Sequence, residues 1–150
     1  MRVALLSWDG RGAPDLPGAM LVRAPVFLRA IDAVRARRGF EAGAASMGYM
    51  AAAVRRTAPE VVHAFSLPDA VVAARSGLPA AFTFPWVPAR ETVASRRGRP
   101  ALLGEALAGC RVVAPDEATA AGLERWLGVS APVVRGSEAL HALHRELASR

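Results

Sequence analysis

The stretch PEVVHAFSLPDAVVAARSGLPAAFTF, Pro59 to Phe84, constrains the fold more than any other part of the chain. Val61 and Val62 form a short apolar run that ends in two polar side chains, His63 and Ser66. Pro68 and Asp69 open a short helix, Gly77-Leu78-Pro79 stop it, and Ala80 to Phe84 reads as the next strand. Two strands joined by one helix over so short a span are parallel, and their crossover is right-handed. Open parallel sheets take their ligands beyond the carboxyl ends of the strands. His63 and Ser66 stand at that end of the first strand, so they are the first candidate binding residues.

The rest of the chain repeats the alternation. Val3 to Ser7 reads as a buried first strand, followed by the loop SWDGRGAPDLPG, in which Asp9, Gly10 and Gly12 are further candidates. Met20 to Arg38 has two readings: one helix interrupted near Pro25, or a short strand from Met20 to Arg23 and then a helix. The proline favours a break. Phe40 to Thr57 has helical spacing at Met47, Met50, Ala51 and Val54. Pro85 to Pro100 is expected to be a loop with a turn or two of helix around Arg90 to Arg96. A helix over Ala101 to Ala108, a strand over Arg111 to Ala114 and a helix over Pro115 to Leu127 follow. The expected last strand is Pro132 to Arg135 and the last helix Glu138 to Ser149. Strands alternating with helices give an α/β fold, here a single Rossmann-like domain over residues 1–150 with a mostly parallel sheet of five or six strands.

Composition narrows the function classes. The net charge is +6, and all 19 basic residues are arginine; Lys, Asn and Gln are absent and alanine is abundant. Such a bias in usage weakens the meaning of any one arginine. Arg96, Arg97 and Arg99 form the densest cluster, read as a solvated loop with an anionic-membrane contact as the alternative. No aromatic residues interleave with these arginines, so nucleic acid is not an expected partner. A single cysteine, Cys110, rules out an intramolecular disulfide and favours a cytoplasmic setting. The apolar run after Met1 is too short for a signal peptide or a membrane span. His141 and His144 share a helix face, with Glu138 the only local third ligand; a solvated face is the preferred reading, and no metal or cofactor is expected.

The order of these segments resembles the N-terminal domain of the family-4-type retaining glycosyltransferases, which have the GT-B fold. EVVHAFS resembles the family's "DvVHaHs" strand, and GLPAAFTF its "g.PvvvTvH" strand. LAGCRVVAPDEATAAGLERWLGVSAPVVRGS resembles "l..aD.vvapSe..r..l...lGv...vvpnGvd", and MRVALLS the opening strand. The resemblance implies one half of a GT-B fold, the half that binds the acceptor. It also implies that the domain binding the nucleotide-sugar, which carries the family's glutamate pair, is missing. Residues 137–150, HALHRELASR included, resemble the family's closing helix, though an ordinary amphipathic closing helix is preferred.

The departures fall at the strand ends. Pro85 stands where the family has a histidine after its "vvTv" strand, and Phe65 stands for the second histidine of "VHaH". Gly10 and Gly12 are spaced rather than adjacent, Arg135 replaces an asparagine before Gly136, and Asp116 replaces a serine. The resemblance therefore implies a hexosyltransferase-like protein that is inactive alone, binding a nucleotide-sugar only if a partner chain supplies the donor domain. It is expected in the cytoplasm, with a position peripheral to the inner face of the membrane, through Arg96, Arg97 and Arg99, as the alternative. The candidate substrate-binding residues are His63, Ser66, Asp9, Gly10 and Gly12. For His63 the plainer reading, a half-buried histidine bonded to a backbone carbonyl, is preferred over a crevice contact. Two other functions stay open: a small α/β nucleotide-binding domain using Asp9, Gly10 and Gly12, and a non-enzymatic interaction module.

Overall fold

A computed structural model describes residues 1–150. Five strands form one all-parallel sheet: β1 (Val3–Leu6), β2 (Ala19–Val22), β3 (Val61–Ala64), β4 (Ala80–Thr83) and β5 (Arg111–Val113). Their spatial order is β2-β1-β3-β4-β5, so the order reverses between β1 and β3. The α/β, Rossmann-like architecture expected from the alternation is the one observed. β1 and β3 are buried along their whole length, which is why they read as short apolar runs without alternation.

Alternation is nevertheless present in space. Ala4, Leu6, Val62, Ala64 and Phe82 face one core, shared with Met50 and Val54 of helix α2 (Met47–Thr57) and Val71 of α3 (Leu67–Arg75). Leu103 of α5 (Arg99–Gly109) and Leu123 of α6 (Glu117–Leu127) close that core. Val3, Leu5, Val61, Phe65, Ala81 and Val113 face the other side, where Leu140, Leu143 and Leu147 of the closing helix α7 (Gly136–Ala148) cover them. α5 lies close on α3 because Gly109 has no side chain. A Cβ there would sit 2.4 Å from the Cβ of Ala74.

Several boundaries depart from the sequence reading. The region Met20 to Arg38 resolves into the strand-then-helix alternative, with α1 spanning Val26–Arg37 behind Pro25. The expected helix from Phe40 begins only at Met47, after a turn of 3-10 helix at Ala44–Ser46. Gly43 has φ +93°, which no continuous helix accommodates, and this detaches Phe40 to Gly43 from the helix. The helix expected from Pro115 starts at Glu117, because Asp116 is extended and caps it: Thr119 N–H donates to Asp116 Oδ1 at 2.7 Å. The loop after β4 contains one short helix, α4 (Arg90–Val93). The expected strand Pro132 to Arg135 is reduced to a single parallel bridge, Val133 to Ala114.

Candidate functional site

The reversal of strand order between β1 and β3 opens a crevice at the carboxyl edge of the sheet, where open α/β folds take ligands. A cavity of about 350 Å³ lies there. Trp8, Asp9, Arg11 and Gly12 line it from the loop after β1, and Phe65, Ser66 and Leu67 from the turn between β3 and α3. Pro85 and Trp86 follow β4, and Glu41 and Arg99 close one side.

Each wall is fixed by hydrogen bonds within it. In the loop after β1, Gly10 N–H donates to Ser7 C=O at 3.0 Å and Arg11 N–H to Asp9 Oδ1 at 2.9 Å. The Ser7 hydroxyl donates to Arg11 C=O at 2.6 Å. Gly10 and Gly12 have φ of +78° and +75°, the left-handed region these two positions require. Trp8 is seated over Gly43: a Cβ at Gly43 would come within 2.6 Å of the indole ring. The indole therefore reaches the cavity only because residue 43 has no side chain.

Asp69 joins the two walls that meet at the crevice. Its Oδ2 accepts from Trp8 N–H at 2.8 Å and from the Ser66 hydroxyl at 2.6 Å. Ser66 caps α3 and accepts in turn from Asp69 N–H at 3.3 Å. Asp69 is fully buried and its Oδ1 has no partner. Burial pushes its carboxyl up to about 7; the bonds from Ser66 and Trp8 N–H oppose the shift, and the charges of Asp9 and Asp32 add to it. The neutral form of Asp69 is thus far more favoured near neutral pH than that of an ordinary carboxyl. The sequence showed it only as a helix opener, although Ser66-x-x-Asp69 has capping-box spacing.

The opposite wall is a buried ion pair 58 positions apart in the chain. Arg99 donates to both carboxylate oxygens of Glu41, at 2.5 Å and 3.2 Å, and to Thr92 C=O at 2.7 Å. Its guanidinium lies 4.3 Å from the centre of the Trp86 ring. This corrects the reading of Arg99 as part of a solvated basic cluster. Of its neighbours, Arg96 is half-buried and donates to the carbonyls of Ala36 and Phe40, and only Arg97 is exposed.

Asp9, Gly12 and Ser66 are therefore brought together at one cavity. Gly10 sits beside them on the loop without lining it, close to the Arg23 side chain. His63 is not at the crevice. Residues 61, 63 and 65 share the sheet face that α7 covers, so the imidazole is buried beneath that helix. His63 Nδ1 lies 2.8 Å from His144 Nε2, and His63 Nε2 lies 2.8 Å from Thr83 Oγ1. It is fully rather than half buried, and its partners are side chains rather than a carbonyl. His144 points into the same interface, so it and His141 do not form a solvated pair.

Burial, and then the neighbouring His144, hold His63 down to about 3; burial and then His141 hold His144 down to about 4. Both rings are neutral at physiological pH. His144 Nδ1 has no partner. The tautomers that leave a lone pair rather than an N–H unpaired there have His144 Nε2–H donating to His63 Nδ1, and His63 Nε2–H donating to Thr83.

Other sequence candidates have plain structural surroundings. Cys110 is half-buried, its thiol pushed up to about 12 by burial and donating to Ala70 C=O. No three His, Cys, Asp or Glu side chains are grouped to hold a metal, and no helix is long and apolar enough to cross a membrane. Comparison with protein-family models, with curated proteins and with solved structures finds no match to this chain.

Proposed function

We propose that the crevice binds a hydroxyl-rich acceptor, and that this domain is the acceptor side of a GT-B-type glycosyltransferase, to which its own lining adds no donor-binding chemistry. The observation that carries this reading is the chemistry of the cavity lining. Two indoles, Trp8 and Trp86, flank the hydroxyl-accepting carboxylate of Asp9 and the hydroxyl of Ser66 in a space of about 350 Å³. Indole faces suit the C–H faces of a sugar ring, and carboxylates accept from its hydroxyls. The resemblance in the strand motifs adds the acceptor half of a transferase as context.

The same lining disfavours a phosphate cradle, the core of the nucleotide-binding alternative. Two amides of the loop after β1 are already spent on Ser7 and Asp9, and Asp9 faces the space an anion would occupy. Arg99, the cation of the opposite wall, is neutralised by Glu41. Transfer itself asks for a stabilised leaving nucleotide diphosphate, and the lining offers no pair of free cations for one.

Calorimetric titration with glucose, mannose and N-acetylglucosamine, against uridine diphosphate, tests this. At least one sugar binds, and Asp9→Ala weakens it about tenfold or more. Tight binding of uridine diphosphate with no sugar response would replace this reading by the nucleotide-binding one.

A further inference from the structure

Helix α1 is built inside out. Its only buried residue is Asp32, whose carboxylate accepts from Ala45 N–H at 2.8 Å and from the Ser46 hydroxyl at 2.5 Å, pinning α1 to the turn before α2. Leu28 packs on the core, but the opposite face carries most of the helix's large apolar residues. Val26 is 71% exposed, Phe27 65%, Ile31 46% and Val34 49%, and positions 27, 31 and 34 make one stripe at helical spacing. Met20 and Leu21 of the edge strand β2, which α1 follows, are exposed as well. An amphipathic helix that folds with its apolar face outward has that face left for something other than its own core.

The charge around the stripe has one sign. From Gly18 to Ala58 the only acidic residues are Asp32 and Glu41, and both are buried. Arg23, Arg29, Arg35, Arg37 and Arg38 surround α1, and none of them is in an ion pair. The first turn of α1 holds no acidic residue to offset the positive end of its dipole. A second copy in an antiparallel α1 pairing would set Arg37 and Arg38 against that positive end, so charge disfavours self-association. A surface that is anionic and apolar beneath matches both properties.

We propose that α1 docks the protein on an anionic lipid surface, inserting Phe27, Ile31 and Val34 between headgroups while the flanking arginines meet lipid phosphates. The contact lies on α1 rather than on Arg96, Arg97 and Arg99, of which only Arg97 is free. It is independent of the crevice and of the acceptor reading.

Co-sedimentation of the full chain with vesicles tests it, using phosphatidylglycerol and phosphatidylcholine in equal parts against phosphatidylcholine alone. The protein pellets with the anionic vesicles only, and raised salt releases it. Phe27→Ser with Ile31→Ser lowers partitioning about tenfold or more with an unchanged circular dichroism spectrum, since both side chains are exposed. Arg97→Glu leaves partitioning near wild type, and Arg37→Glu with Arg38→Glu does not. Three outcomes overturn the proposal. One is no binding to anionic vesicles. Another is equal binding by the Phe27→Ser, Ile31→Ser variant, or binding matched by soluble polyglutamate, which indicates an acidic protein partner. The third is a dimer in solution that the same variant dissociates.

Discussion

The ring nitrogens of His63 on β3 and His144 on α7 lie 2.8 Å apart in the buried interface between the sheet and its closing helix. Burial disfavours the charged form of both rings, so the rings hold the helix while both are neutral. In the unfolded chain each would bind a proton near pH 6.5. Between that value and the folded values of about 3 and about 4, the unfolded state binds more protons, so stability falls as the pH falls through this window.

The first prediction follows from that sign. Going from pH 7 to pH 5 costs about 2 kcal/mol for each neutral imidazole. Urea denaturation midpoints measure it, and His144→Leu flattens the acid slope relative to wild type. An acid slope unchanged in this variant would contradict the role given to the pair.

Asp69 acts in the opposite sense. Its folded value of about 7 lies above that of the unfolded carboxyl, about 4, so between those values the folded state binds more protons and stability falls as the pH rises, the loss ending just above 7. Most of that loss, about 2 kcal/mol, falls between pH 5 and pH 7, opposite in sign to the effect of the histidines, and about 0.4 kcal/mol remains to be lost between pH 7 and pH 8. Asp69→Asn, neutral at every pH, loses that slope while keeping an oxygen for Trp8 N–H. A slope of wild-type size in the variant would show that another group carries it.

Much of this fold was legible in the residues, and the reasons for the exceptions are specific. Strands β1, β3 and β4 are short apolar runs because both faces of the sheet are covered. Edge strand β2 has Met20 and Leu21 exposed, so its pattern gave no clean period and left two readings open. The bridge at Val133 looked like a strand because local sequence does not say how many residues find a partner. Asp9, Gly12 and Ser66 were legible as crevice residues because topology alone puts strand ends there. His63 was misplaced because it was read by nearness to the strand end, whereas its parity with Val61 and Phe65 assigns it to the face under α7. The pairing of Glu41 with Arg99, and the seat of Trp8 on Gly43, depend on contacts between distant segments that no local pattern encodes.

The Glu41–Arg99 pair leads to a third prediction. Arg99→Ala leaves a buried carboxylate without its partner, at a cost of about 3 kcal/mol or more by denaturation. Arg99→Lys does not restore the wild type, because one ammonium replaces neither the two-point contact nor the stacking on Trp86. Full stability in the lysine variant would contradict the geometry described for this wall.

Gly43 gives a fourth. Gly43→Ala meets the Trp8 ring at 2.6 Å and must hold φ near +93°. It is expected to lose about 2 kcal/mol of stability and to change the Trp8 environment, read by tryptophan fluorescence. An alanine variant with native stability and spectrum would remove Gly43 from the account of the cavity.

The chain has three tryptophans, and their indole N–H signals test the central claim most directly. Trp8 and Trp86 line the cavity, whereas Trp126 lies on α6 outside that lining. Two-dimensional amide spectra recorded during titration with glucose, mannose and N-acetylglucosamine report all three at once. The acceptor-binding account predicts that one of these sugars moves the Trp8 and Trp86 signals together and leaves Trp126 in place, and that Asp9→Ala abolishes the movement. Signals that respond to uridine diphosphate while staying still in every sugar would contradict it.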